Sequence, residues 1–165
     1  SSSAASDVYK RQDIAYDLAR KAISKKKSII TANKALIAEK GDDLFELSNK
    51  QNSYIGYEAS VAGAIPVISS LTHNMLNENI ISISGIINGT SNYILDQMSS
   101  EKKSFKEALN NAQKLGYAEA DPSFDIGGFD AAHKISILAN IAFDINSPYK
   151  NMHIEGIDSI ERMGY

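Results

Sequence analysis

The sequence predicts an α/β protein, because short stretches suited to strands alternate with longer stretches that have the apolar period of helices. Two candidate strands are residues 28–31 (SIIT) and 54–58 (YIGYE), and in a third, residues 80–87, isoleucines alternate with serines. The clearest helix runs from Phe129 to about Phe143, where apolar side chains cover most of the helical circumference. This alternation disfavours an all-helical or an all-β fold.

Further helices are predicted between and before these segments. From Asp13, two series of apolar residues recur every four positions and together form one broad apolar stripe. Helices are also predicted from about Ala35, with an interruption near Gly41, and over residues 66–76, 93–99 and 105–115. Ser104 and Glu107 form a capping-box pattern before the last of these, and Gly116 is placed to end it. Residues 88–92 (NGTSN) are predicted to form a turn and residues 117–128 a loop.

Composition excludes several classes of protein. The 165 residues suffice for one domain with a hydrophobic core or for parts of two, and the net charge of −3 lacks the basic excess of a nucleic-acid binder. No apolar run approaches the length of a membrane-spanning helix, so we expect neither a nucleic-acid nor a membrane partner. There is no cysteine, which excludes disulfides and is compatible with the cytoplasm, where we expect the protein. Residues 1–12 lack the apolar middle of a signal peptide and are interpreted as a disordered leader or a cloning remnant.

The polar residues that can carry chemistry concentrate between Gly116 and Lys134. Asp130 and Lys134 are four residues apart at the start of the apolar helix, so their side chains share one face. A partly desolvated lysine beside a carboxylate can transfer a proton to a carbonyl oxygen, and nearby carboxylates can bind an ammonium group. Spacing alone favours an ordinary exposed ion pair. The apolar circumference of the helix favours a buried pair instead, which needs a functional reason.

Other patterns in the chain leave alternatives open. A calcium-binding EF-hand is excluded at residues 121–132, because Ile126 and Ala132 occupy its glycine and glutamate positions. Lys34 follows a predicted strand, where clefts of α/β proteins open, and is either a ligand contact or an ordinary surface lysine. Residues 58–65 equally fit a tight strand-to-helix connection. No G-x-G-x-x-G occurs, so we expect any phosphate-binding loop to lie outside this chain.

Four segments taken together resemble the homoserine dehydrogenase family. They are residues 30–41 (ITANKALIAEKG), 57–71 (YEASVAGAIPVISSL), 83–95 (ISGIINGTSNYIL) and 112–134 (AQKLGYAEADPSFDIGGFDAAHK), and they occur in the family's order and spacing. The last is the most specific, with the pattern D-P-x-x-D-I-x-G-x-D-x-x-x-K from Asp121 to Lys134. The resemblance covers nearly all residues from Asp13 to about Asp158.

The resemblance implies the reversible, NAD- or NADP-dependent interconversion of L-aspartate 4-semialdehyde and L-homoserine, in the biosynthesis of threonine, methionine and isoleucine. It implies that Lys134 donates a proton to the carbonyl oxygen and that Asp130 is its acidic companion. Glu119 and Asp125 match positions that bind the amino-acid end of the substrate. Lys34 matches a lysine that contacts the substrate and the nicotinamide at the reacting centre, and Gly116 matches a glycine that contacts the cofactor.

The resemblance also implies a monovalent-cation site, sodium or potassium, at Glu58, Val61, Gly63 and Ile65, where hard oxygen ligands suit such an ion. It divides the chain into residues 13–57, the C-terminal part of a Rossmann nucleotide-binding domain, and residues 58–165, an α+β catalytic and dimerisation domain that is incomplete at its C-terminus. We expect a homodimer, and we expect the chain by itself to be inactive.

Two other classes compete with this interpretation. One is a non-catalytic dimerisation or ligand-binding module derived from the same fold, and the intact acid–lysine pair and Lys34 argue against it. The other is a different semialdehyde or sugar dehydrogenase, which fits the chemistry but not the detailed pattern of residues 121–134.

Overall fold

A computed structural model of the chain describes residues 2–75, 79–146 and 148–160, with side chains except at residues 2–12, 148 and 150. The predicted helix end at Leu76 and residues 161–165 of the predicted second domain lie outside this part. The described residues form two compact units. One comprises the residues up to Ile83 together with His133–Asn151, and the other comprises Ser84–Ala132 and the residues from Met152 onward. The division at residue 58 into parts of two domains stays a prediction.

The regular elements alternate as an α/β sequence requires. They are α1 (Ser2–Ser24), β1 (Ile29–Ile30), α2 (Lys34–Gln51), β2 (Ile55–Gly56), α3 (Val67–Ser69), α4 (Gly89–Ser100), α5 (Phe105–Lys114), α6 (Ser123–Ile126) and α7 (Phe129–Phe143). Short 3-10 helices cover Glu58–Ser60 and Pro148–Asn151, and a π-helical turn, Ser70–Asn74, continues α3. The strands β1 and β2 are parallel, with Ile29 opposite Ile55. The α/β class is therefore confirmed.

Helix α1 differs from the prediction at its start and in its buried face. It begins at Ser2, so residues 2–12 are helical rather than disordered, whereas their interpretation as a leader or a cloning remnant stays a prediction. No glycine or proline interrupts residues 2–24, and nothing in the local sequence breaks a helix there. Ala19 and Ile23 enter the core, whereas Ile14 and Leu18 are 60% and 64% exposed. Only one side of the predicted apolar stripe is thus buried within the described part of the chain.

Helix α2 is continuous, and the predicted interruption at Gly41 is wrong. Gly41 is buried, and a Cβ there would lie 3.2 Å from the Phe45 ring, so the glycine serves close packing within the helix. The helix begins at Lys34 behind Asn33, whose side chain accepts a hydrogen bond from the Leu36 N–H at 3.1 Å. Its core side packs with α1, the strands and the second half of α7.

Residues 80–87 do not form the predicted strand. The structure gives residues 79–88 no regular secondary structure, and β1 and β2 are the only paired strands among the described residues. A strand needs a neighbour for its backbone hydrogen bonds, and alternation cannot supply one. Ile81 and Ile86 are 88% and 79% exposed, and of the alternating isoleucines only Ile83 packs against the core of the described chain.

The second unit is built on α4 and α5, which bury Ile94, Met98, Ala108 and Ala112 between them. The capping box is confirmed, since Ser104 accepts from the Glu107 N–H and the Glu107 carboxylate accepts from the Ser104 N–H. Helix α4 starts at Gly89, four residues before the prediction, because Asn88 is its N-cap rather than part of a turn. The predicted loop before α7 contains the short helix α6. The confirmed bounds of α7 match the prediction. None of the helices in the described part is long and apolar enough to cross a membrane.

Candidate active site

The centre of the candidate site is the side chain of Asn88, which holds two carboxylates. Its Nδ2 donates to Asp125 Oδ1 and to Asp130 Oδ2, both at 2.8 Å. Its Oδ1 accepts from the Ser91 N–H at 2.7 Å, which caps α4. Asn88 is 8% exposed, so these three hydrogen bonds form largely out of water. We call Asn88, Asp125 and Asp130 the amide cluster.

The two carboxylates of the amide cluster reach Asn88 from consecutive elements. Asp125 lies on α6, and its backbone carbonyl accepts a further bond from Ser91 Oγ at 3.1 Å. Asp130 stands in the first turn of α7. The turn between them needs Gly128, which has φ +81° and whose Cβ, if present, would lie 2.9 Å from the carbonyl oxygen of Glu155. Only glycine fits this close approach, and it allows α6 and α7 to present both carboxylates to one amide.

Helix α7 carries the predicted acid–lysine pair. Asp130 is 4% exposed, which contradicts an ordinary exposed ion pair and agrees with the buried interpretation. Lys134 follows one turn later and is half-buried. Between them, His133 is 2% exposed, and its Nε2 lies 3.1 Å from Glu39 Oε1 on α2. The His133 ring also packs on Tyr149, with ring centroids 4.3 Å apart.

Gly116 and Glu119 lie in the connection between α5 and α6. Gly116 has φ +77°, and the Tyr117 N–H bonds back to the Ala112 carbonyl at 2.8 Å, so the glycine ends α5 as predicted. A Cβ at Gly116 would meet nothing within 4 Å, so the space beside its α-carbon is open to a ligand, while its N–H bonds to the Gln113 carbonyl at 3.1 Å. The Glu119 side chain is exposed, and its backbone carbonyl accepts from Gln113 Nε2 at 3.1 Å. The open space and the exposed carboxylate are both accessible to a small molecule.

Lys34 is the first residue of α2, four residues beyond the end of β1 in a two-stranded parallel sheet. This is the carboxyl end of a strand, where ligands bind in α/β folds. Its side chain is half-buried. Helix α2 is joined to the part of α7 in the same unit by the Glu39–His133 contact and by Asn140 Nδ2 donating to Asp42 Oδ1 at 3.4 Å.

The Glu58 carboxylate has a partner that the sequence did not indicate. It accepts hydrogen bonds from the backbone N–H groups of Ile68 and Ser69, each at 2.9 Å, and from the Ser69 hydroxyl. These bonds, the hydroxyl's first, hold the pKa of Glu58 below its usual value. Glu58 therefore satisfies the beginning of α3, where the helix dipole also favours a negative charge.

The turn that follows Glu58 has unusual backbone geometry. Ala62 and Gly63 both have φ +59°, and the Ile65 carbonyl accepts from the Val67 N–H at 2.8 Å. No three His, Asp or Glu side chains of the described residues are grouped to hold a metal ion. The predicted cation site takes three of its four ligands from backbone carbonyls, so a search for grouped side chains does not test it. An ionised carboxylate next to a tight turn of carbonyls has the donor chemistry that a monovalent cation needs.

Sequence reasoning placed Asp125, Asp130 and Lys134 correctly on or near α7 but missed Asn88. The available signal was local: an asparagine directly before a helical segment is a strong N-cap. Its second role was not visible, because Asp125 and Asp130 lie 37 and 42 residues further along the chain.

The fold and the site define a helix-rich α/β protein in which a buried asparagine amide holds two carboxylates, one of them on the helix that also carries Lys134. The family model for homoserine dehydrogenase matches residues 66–164. The homoserine dehydrogenase of Helicobacter pylori is 49% identical over 146 residues, which are 88% of this chain and 34% of the relative. The chain belongs to the homoserine dehydrogenase family, and it spans about a third of the length of this curated relative.

Solved structures of the family agree with the fold. The homoserine dehydrogenase of Thiobacillus denitrificans matches with a TM-score of 0.88 and 44% identity, over 90% of this chain and 34% of that one. A hyperthermophilic archaeal homoserine dehydrogenase in complex with NADPH matches with a TM-score of 0.80 and 32% identity, over 90% of this chain and 46% of that one.

Proposed function

We propose that the chain is part of an NAD- or NADP-dependent homoserine dehydrogenase that interconverts L-homoserine and L-aspartate 4-semialdehyde, in the route to threonine, methionine and isoleucine. The observation that carries the proposal is the amide cluster, whose Asp130 lies on α7, the helix that also bears Lys134. Its carboxylates can receive an ammonium group, and the lysine can serve a carbonyl oxygen. The archaeal relative in complex with NADPH supports a nicotinamide cofactor.

In this proposal Lys134 donates a proton to the carbonyl oxygen of the semialdehyde as that oxygen becomes a hydroxyl. Asp130, one turn earlier on α7, orients the lysine ammonium and stabilises its charge. Asp125 and Glu119 bind the ammonium end of the amino acid. The protein thereby stabilises the developing alkoxide by preorganised charge. When bound, the nicotinamide supplies or accepts the hydride.

Lys34 and Gly116 are the residues of this chain that would hold the nicotinamide end of the cofactor. The open space at Gly116 and the position of Lys34 after a parallel strand both fit a ligand of this kind. Lys34 would also contact the substrate at the reacting centre. The phosphate-binding turn of a Rossmann fold is not among the motifs of this chain.

The proposed cation site comprises the Glu58 carboxylate and the carbonyls of Val61, Gly63 and Ile65. A sodium or potassium ion there would brace the turn between β2 and α3. The test compares thermal unfolding midpoints in sodium, potassium and choline chloride at equal ionic strength. We expect sodium or potassium to raise the midpoint, and the increase to disappear in Glu58→Gln. Equal midpoints in all three salts would rule the site out.

The function is tested with the whole enzyme, expressed from its complete coding sequence in the cytoplasm, where we also place the native protein. We expect oxidation of L-homoserine with NAD⁺ or NADP⁺, followed by the absorbance of the reduced nicotinamide, and a homodimer in size-exclusion chromatography with light scattering. Failure to bind either nucleotide would favour a non-catalytic module of the same fold. Turnover of another semialdehyde, but not of L-homoserine, would favour a different semialdehyde or sugar dehydrogenase.

A further inference from the structure

We propose that Asn88 is a positioning residue of the active site, which orients Asp125 toward the substrate and Asp130 toward Lys134. The inference rests on the proposed function and deepens it, because it assigns a role to a residue that contacts both carboxylates. Asn88 acts through these two residues rather than on the reacting atoms.

The hydrogen-bonding capacity of the Asn88 amide is fully used. An asparagine side chain has one acceptor oxygen and two N–H donors. Here Oδ1 accepts from the Ser91 N–H at 2.7 Å, and Nδ2 donates to Asp125 and Asp130 at 2.8 Å each. The flipped amide would aim its oxygen at two carboxylates and lose all three bonds. The amide therefore has one allowed orientation, and it fixes one oxygen of each carboxylate.

Capping alone does not require asparagine at this position. Serine, threonine and aspartate cap helices about as well. Of these residues, only asparagine offers the cap acceptor and two donors for the carboxylates at the same time. A lysine or arginine could also bridge two carboxylates, but its charge would offset theirs. The neutral amide orients both carboxylates and leaves their negative charge available to an ammonium group of the substrate and to Lys134.

The hydrogen bonds from Asn88 to Asp125 and to Asp130 have different kinetic consequences. Asp125 belongs to the proposed substrate-binding groups, so a change in its orientation weakens binding of L-homoserine and raises KM. Asp130 belongs to the proton-donating pair on α7, so a change in its orientation lowers kcat. A residue that merely supports the fold would lower the amount of folded enzyme without splitting its effect between KM and kcat in this way.

The experiment uses Asn88→Asp and Asn88→Ser in the whole enzyme. Both keep an acceptor that can cap α4, and both remove the two amide N–H donors, although serine retains one O–H donor. Asn88→Asp is the sharper change, because it keeps the shape of the side chain and turns a carboxylate oxygen toward Asp125 and Asp130. We expect Asn88→Asp to lower kcat/KM for L-homoserine roughly 10²-fold, with a rise in KM and a fall in kcat, and Asn88→Ser to cause a smaller change of the same kind.

Ser104→Ala is the matched control, since it removes the N-cap of α5 in the same unit at an exposed site. It should lower the thermal midpoint and leave KM and kcat of the folded enzyme unchanged.

Three outcomes would overturn the inference. The first is wild-type KM and kcat in both variants, and the second is a lowered thermal midpoint with unchanged kinetics, as in the control. The third is loss of the fold in both variants, because Asn88 would then contribute to stability alone. If only Asn88→Asp fails to fold, KM and kcat of Asn88→Ser test the inference. An inactive wild-type enzyme would refute the proposed function itself, whereas an active wild type with unaffected variants would refute only the role of Asn88.

Discussion

Two buried polar groups on α7 are built in opposite ways. In the amide cluster, a neutral donor, Asn88, binds two carboxylates at 2.8 Å and leaves their charge in place. In the second group, a histidine, His133, meets the carboxylate of Glu39 at 3.1 Å and joins two helices. We call His133 and Glu39 the histidine pair. The donor of the first arrangement carries no charge, and the second links α2 to α7 through an acid and a base.

The comparison predicts that residues near the amide cluster affect catalysis and that the histidine pair affects stability. Burial alone would not separate the two, because Asp130 is 4% and His133 2% exposed. The charge of the group that each one contacts separates them instead, since Asp130 accepts from a neutral amide and His133 meets a carboxylate.

The largest expected effect is that of Lys134→Ala. Loss of a general acid lowers kcat by about 10²–10⁴-fold. Turnover of L-homoserine by the whole enzyme measures the effect, and circular dichroism checks that the variant is folded. Lys106→Ala, at an exposed position on α5, is the control and should keep its activity. Full activity in Lys134→Ala would refute the assigned role of the lysine.

His133→Ala should chiefly destabilise the protein. It removes a buried ring, its packing on Tyr149 and its contact with Glu39. We expect a loss of about 2–3 kcal/mol in the free energy of unfolding, measured by urea denaturation, and an unchanged KM for L-homoserine. Glu46→Ala, on the exposed face of the same α2, should change stability by less than roughly 0.5 kcal/mol. A rise in KM without a loss of stability would assign the histidine pair to the site.

Unlike His133→Ala, Asp125→Asn should affect substrate binding rather than stability. It removes the charge that a substrate ammonium would meet, so KM for L-homoserine should rise roughly 10–100-fold, the equivalent of one hydrogen bond to a charged group. Asp121→Asn is the matched control four residues earlier, where the carboxylate is exposed and bonds only locally to the Ser123 N–H at 3.1 Å. If both variants raise KM equally, the loop acts by its general charge and not through the amide cluster.

The smallest expected effect concerns Glu58, whose carboxylate serves the start of α3. Because hydrogen bonds from Ser69 and Ile68 lower its folded-state pKa, Glu58 stabilises the fold above the ordinary glutamate pKa of about 4.3. This contribution is lost as the pH falls through the lowered folded-state pKa. Ser69→Ala should reduce that loss, which is measured by the unfolding midpoint between neutral and acidic pH. If the unfolding midpoint of Ser69→Ala depends on pH as in the wild type, the Ser69 hydroxyl does not stabilise the ionised carboxylate of Glu58.

Local pattern was sufficient where a feature depends on near neighbours in the chain. The period of residues 129–143 predicted α7 with its correct ends, and Ser104 with Glu107 predicted the start of α5. The apolar circumference of α7 also indicated that Asp130 is buried, which the structure confirms at 4% exposure. The family followed from motifs in order along the chain, and the family model for residues 66–164 confirms it.

Residue patterns along the chain were enough to predict the α/β class, most helix positions and the family. Three features depend on contacts between distant residues: residues 80–87 remain without a strand partner, Glu58 bonds to the start of α3, and Asn88 binds two carboxylates. A strand depends on a partner, and a polar side chain depends on whichever groups the fold brings to it. Asn88 meets Asp125 and Asp130 from 37 and 42 residues away, a separation at which period and spacing carry no information about contact.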